Sequence, residues 1–178
     1  MTIQTQAREA RFNGLFDAHY TAVRAYAWRR DPSSADDVVA ETFLVAWRRL
    51  EDVPADSLPW LIGVARKVRL NMVRGERRRS DREDRARAGA PQPSTDDLVL
   101  GRLGLRDALA RLPEHDREVI LLTAWEGLDR AAVARVLGCT RANVALRLFR
   151  ARRRLEDALV EPETPLVNPP TEGAADAC

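Results

Sequence analysis

Apolar residues recur along this chain every three or four positions, and no stretch shows the strict alternation of a strand. Phe12, Leu15, Phe16, His19, Val23, Tyr26 and Ala27 mark one side of a first helix that ends near Arg30. "RDPSSADD" then supplies a turn. Ser33 or Ser34 can cap a second helix whose first turn carries acids, where the helix dipole favours them. Val39, Phe43, Ala46, Trp47 and Leu50 line one side of it. "EDVPADS" breaks the pattern at Pro54, and Asp56 or Ser57 opens a third helix with the stripe Leu61, Val64, Ala65, Val68 and Met72.

From Ser80 to Asp96 the periodicity stops, and the composition turns charged and then rich in Ala, Pro and Gly, as in a flexible linker. Helical spacing returns with Leu98, Leu103, Leu105, Leu109 and Leu112, and Pro113 ends it. "EHDREVILLTAWEG" forms a further helix that stops at Gly127, followed by "DRAAVARVLG" and "CTRANVALRLFRARRRL". The expected fold is all-α. Two small helical domains, residues 8–79 and 97–160, are joined by a flexible linker at 80–96, and an acidic, proline-rich tail at 161–178 stays disordered.

Net charge over the 178 residues is only +2, but the charge is sorted along the chain. Asp31 to Asp56 is acidic, and Arg66 to Arg79 is basic with Glu76 its single acid. Arg130 to Leu155 holds eight arginines and no acid, and the tail is acidic again. All the basic residues but Lys67 are arginine, whose planar fork suits phosphates and guanine edges. Cys139 and Cys178 stand far apart without a CxxC or a histidine cluster, so no metal site, cofactor or disulfide framework is expected. No apolar run is long enough for a membrane span and no secretory signal opens the chain. The expectation is a cytoplasmic protein with no membrane contact. His19 and His115 are isolated and no glycine-rich phosphate loop occurs, so an enzyme finds no support.

The last two helices carry the most specific pattern. Asp129 can cap Arg130–Leu137, Gly138 can take the positive φ of a tight turn, and Thr140 can cap the helix from Arg141 to about Leu159. Short helix, glycine turn and longer helix make a helix-turn-helix. On the second helix, Val144, Leu148, Ala151, Leu155 and Leu159 share an apolar side, while Asn143, Arg147, Arg150 and Arg154 share another. Arg141 at the N-terminal end can pair with a guanine and Asn143 with an adenine. The remaining arginines, Arg130 among the candidates, suit phosphates.

"LPEHDREVILLTAWEGLDRAAVARVLGCTRANVALRLFRARRRL" resembles region 4 of the extracytoplasmic-function (ECF) sigma factors, the small promoter-specificity subunits of bacterial RNA polymerase. The resemblance implies binding of the −35 promoter element by the last helix and contact with the polymerase β flap. Ala131 and Ala132 stand where the family often has acids, and Ala145 and Leu146 where it often has Lys-Ser, so a base preference does not transfer.

"SSADDVVAETFLVAWRRL" resembles region 2.2 of the same family, which implies that Asp36, Asp37, Glu41 and Arg48 meet the β′ clamp helices of core polymerase. Ala40 replaces the family's usual glutamine. "SLPWLIGVARKVRLNMVRGERRR" resembles regions 2.3 and 2.4, which open the −10 element and hold a flipped-out base. That places Lys67, Asn71, Arg74, Arg77 and Arg78 on the DNA side of the helix, with Asp56, Ser57 and Trp60 in or beside the loop before it. The resemblance spans about Phe12 to Leu159, and it implies an anti-sigma factor as a further partner. Two other readings compete with it. One is a helix-turn-helix regulator acting without core polymerase, and the other is an adaptor whose arginines are only solvated.

Overall fold

The computed structural model describes residues 3–83 and 100–160, and every regular element among them is helical. α1 runs from Ile3 to Trp28, α2 from Ala35 to Arg48 and α3 from Ser57 to Glu83. α3 thus carries Ser80–Glu83, which composition alone assigns to the linker; residues 84–99 and the tail from 161 lie outside the described residues. The second region holds α4 (Leu100–Arg111), α5 (Glu114–Ala124), α6 (Arg130–Leu137) and α7 (Arg141–Val160).

The turn into α2 is built around Asp31 rather than a serine. Asp31 is extended and accepts from the Ser33 amide and from the Ser33 and Ser34 hydroxyls. Ser34 holds the N-cap position of α2 but makes no capping bond, because its hydroxyl is turned to Asp31. The hydroxyl donors of Ser33 and Ser34 hold the Asp31 carboxyl below the usual carboxylate range.

α2 buries Ala35, Val38, Val39, Thr42, Phe43 and Ala46. Phe43 meets Phe16 at 4.7 Å between ring centroids, and Phe12 stands edge-on to Trp47 at 5.2 Å. Tilted and edge-to-face rings of this kind add to plain area burial. Trp47 is half-buried, with the Arg8 guanidinium 5.0 Å from its ring.

In the second region Asp129 accepts from the Ala132 amide and caps α6. Gly138 ends α6 with φ +65° and the Thr140 hydroxyl accepts from the Asn143 amide to start α7. Val144, Leu148 and Ala151 of α7 are buried against α5 and α6. Leu155 is half-buried and Leu159 is 50% exposed, so the apolar side of α7 fades toward its end.

The two helical regions pack directly on each other. α3 lies against α6, where Gly63 faces the Val136 backbone, and one apolar cluster runs from α1–α3 into α5–α7. Beside it sits a buried charge network. Arg30 lies between Glu118 (3.1 Å) and Glu126 (3.0 Å), all three side chains 7% exposed or less. Tyr26, fully buried, donates to Glu118 and supports the Arg30 guanidinium 3.6 Å from its ring. Burial pushes the Tyr26 phenol well above its ordinary value. Burial alone would lower the Arg30 pKa, but Tyr26, Glu118 and Glu126 raise it overall, so the guanidinium stays charged.

Candidate nucleic-acid interface

α7 presents a different outward face from the one its spacing implies. Measured from the buried stripe at about 100° per residue, Leu146 and Arg153 point away from the core, with Phe149 and Arg150 flanking them on either side. Leu146 is 47% and Phe149 66% exposed. Charge and motif do not single out these two apolar residues. Both fall out of register with Val144, Leu148 and Ala151, which is the signal that marks them. An exposed apolar side chain among arginines suits the methyl group of thymine.

Arg141, Asn143 and Arg150 are exposed as expected, Thr140 is occupied as the helix cap, and Arg130 is exposed in the first turn of α6. Arg147 is half-buried on the flank of α7. Arg154, its side chain 51% exposed, also has a partner within the fold. It bonds the carboxylate of Asp116, which is 2% exposed on α5, and so ties α7 into the second region. Arg152 and Arg153 are both exposed and extend the basic surface.

On α3 the exposed face holds Lys67, Asn71, Arg74 and Arg78. Arg77 belongs to the same helix, but its side chain lies outside the described residues. Between α2 and α3 runs a trough of about 380 Å³, with Val45, Val64, Val68 and Met72 as floor and Glu41, Arg49, Lys67 and Asn71 around it. The loop before α3 offers less than its composition promises. Ser57 is buried and bonded to His19 Nε2 at 2.8 Å, and burial lowers the His19 pKa against the opposing pull of Asp56. Trp60 is half-buried, 6.0 Å from the Arg49 guanidinium. Asp56 is exposed but paired with Arg135 of α6, across the seam.

The acids of α2 face outward. Asp36 is 3.5 Å from Arg24 with its side chain 84% exposed, Asp37 is exposed, and Glu41 is 3.7 Å from Arg48. Exposed pairs of this length contribute little to stability, so these carboxylates remain open to a partner. Leu44, 46% exposed, lies about one turn beyond Glu41. Among the described residues no His, Cys, Asp and Glu group could hold a metal, and no helix is long and apolar enough to cross a membrane.

Comparison with known proteins matches these two regions separately. Residues 15–79 match the family described as Sigma-70 region 2, and residues 102–155 the family described as Sigma-70, region 4. The ECF RNA polymerase sigma factor SigL of Mycobacterium tuberculosis is 36% identical over 163 residues, covering 87% of this chain and 92% of that protein. ECF sigma factor BldN of Streptomyces coelicolor is 31% identical over 85% of this chain and 62% of its own. Among solved structures, the sigma factor RpoE of Bartonella quintana, in complex with the anti-sigma factor NepR, has a TM-score of 0.66 at 25% identity. The match covers 83% of this chain and 96% of that one. CnrH in complex with the cytosolic domain of CnrY gives 0.59 at 28% identity, covering 83% and 86%. Sigma-70 regions 2 and 4 thus occur in one chain, and this chain belongs to the extracytoplasmic-function sigma factors of the sigma-70 family, which bind core RNA polymerase and direct transcription from specific promoters.

Proposed function

We propose a division of labour among three surfaces. Asp36, Asp37, Glu41 and Arg48, with Leu44 as an apolar anchor, grip the β′ clamp helices of core polymerase. Lys67, Asn71, Arg74, Arg77 and Arg78 engage the −10 element. Arg141, Asn143, Arg150 and Phe149, aided by Arg130, Arg147, Arg152 and Arg153, read and hold the −35 element. Asp56 and Trp60 border the −10 surface. Ser57, itself buried, and Arg154, bonded to a buried carboxylate, serve the fold.

The observation that carries this reading is the exposure of the α2 acids. Asp36 and Asp37 are exposed and Glu41 partly so, with only surface arginines beside Asp36 and Glu41, whereas the neighbouring positions of the same helix build the core. Acids so placed suit a basic protein partner and are of no use against DNA. The trough between α2 and α3 has the make-up an unstacked base requires, an apolar floor with donors at the rim. The protein then needs no chemistry of its own. Holding the flipped base offsets the cost of unstacking it.

Two promoter elements centred about 25 base pairs apart lie roughly 85 Å from one another at about 3.4 Å per pair. A compact chain of this length has a radius of gyration of about 16 Å. The packed arrangement therefore cannot touch both elements, and core polymerase must separate the two regions before promoter binding. Because RpoE and CnrH were solved with anti-sigma partners, an inhibitor of that kind is part of this reading, as is a cytoplasmic place of work.

The test is transcription from a candidate promoter by core polymerase with and without the full chain, alongside direct core binding. Asp36→Asn, Asp37→Asn and Glu41→Gln together should abolish stimulation and core binding while leaving the fold intact by circular dichroism. Core affinity that survives the triple substitution would remove α2 from the contact.

A further inference from the structure

Where α1, α3 and α5 meet, the seam between the two regions opens into a cleft of about 440 Å³. Arg29, Arg30, Arg69, Arg74 and Arg117 line it. The carboxylates within reach are Glu114, Glu118 and, from the side, Glu126. Five guanidiniums thus face three carboxylates, and those carboxylates are already engaged. Glu118 and Glu126 hold Arg30, Arg29 also pairs with Glu126, and Glu114 is 3.3 Å from Arg69.

Two donors are left over. The Nε atoms of Arg69 and Arg117 are both buried and have no protein acceptor. A buried donor without an acceptor is a standing cost, and guanidinium forks match phosphate oxygens in geometry and charge. The cleft is of a size that takes a small ligand. Arg69 belongs to the first region and Arg117 to the second, so one anion bound to both would bridge the seam.

We infer that this cleft is a binding site for a small polyphosphate or phosphorylated anion, which holds the two regions of the free chain together. The site is separate from the promoter-reading face of α7, and the inference does not depend on which promoter the protein recognises.

Titration of the free, full-length chain with inorganic pyrophosphate at constant ionic strength tests it. One saturable site per chain is expected, weakened at least tenfold by Arg69→Gln and by Arg117→Gln and unchanged by Arg111→Gln, an exposed arginine outside the cleft. Arg117→Lys keeps the charge but loses the Nε–H, and should fall between Arg117→Gln and the unchanged protein. That variant decides the matter should Arg117→Gln not fold. A parallel titration with a single-stranded oligonucleotide separates free phosphate from the DNA backbone as the source. Pyrophosphate binding that fails to saturate, or that Arg111→Gln weakens equally, overturns the site. So does a loss of oligonucleotide affinity in Arg69→Gln and Arg117→Gln with pyrophosphate binding unaltered.

Discussion

Gly138 shows how much a single position decides in this fold. Its φ of +65° turns the chain between α6 and α7, and nothing lies within 4 Å of where a Cβ would stand. The penalty of Gly138→Ala is therefore conformational alone, about 1 kcal/mol for an L-residue held left-handed. Chemical denaturation should show that loss without a change in slope. The turn was legible because glycine between two capped helices has few other uses. Asp31 was not legible, since two serines beside it looked like better caps. Asp31→Ala should cost about 1 kcal/mol at neutral pH. The carboxyl titrates lower in the folded chain than its ordinary 3.8, so its contribution is present above that value. It is lost as the pH falls through the folded pKa. The gap between Asp31→Ala and the unchanged protein, measured by denaturation at a series of pH values, should close in acid. A gap that persists undiminished in strong acid would place the stabilisation elsewhere.

At the scale of the helix, spacing identified α7 and its buried stripe but not the side it turns outward. Asn143, Arg147, Arg150 and Arg154 do share a flank, with Asn143 and Arg150 exposed and Arg147 and Arg154 on the edge nearer the core. Arg147 is half-covered there and Arg154 reaches a buried carboxylate on α5. Asp116 lies 38 residues away in sequence, and nothing in the arginine run announces it. The distinction has consequences that measurement can separate. Arg150→Ala and Arg153→Ala should weaken duplex binding and flatten its salt dependence, by about 0.9 in slope for each phosphate no longer neutralised, with stability unchanged. Arg154→Ala should do the reverse. It strands a buried acceptor and lowers stability by about 1–3 kcal/mol, with the salt slope kept. A reduced salt slope in Arg154→Ala at full stability would return that residue to the DNA face.

Across the whole molecule, the sequence conveyed two helical regions but nothing of how they meet. Arg30 is 88 residues from Glu118 and 96 from Glu126, and in sequence all three pass for solvated charges. Folded, they are nearly inaccessible and fully paired. Removing one side of such a network leaves the other charge buried alone, which costs far more than the pair contributes when intact. Glu118→Gln with Glu126→Gln would leave Arg30 in that position, while each region keeps its own helices and most of its apolar packing. The cheapest response is for the seam to part and for water to reach the guanidinium. Small-angle scattering of the free double variant should accordingly show a radius of gyration clearly above the roughly 16 Å of a compact chain, with the helical circular dichroism unchanged. Opening should also release Asp56 from Arg135, so that less separation work is left for core polymerase and its apparent affinity rises. Expansion without a gain in core affinity would mean that the seam is packing alone and that opening it is no part of promoter engagement.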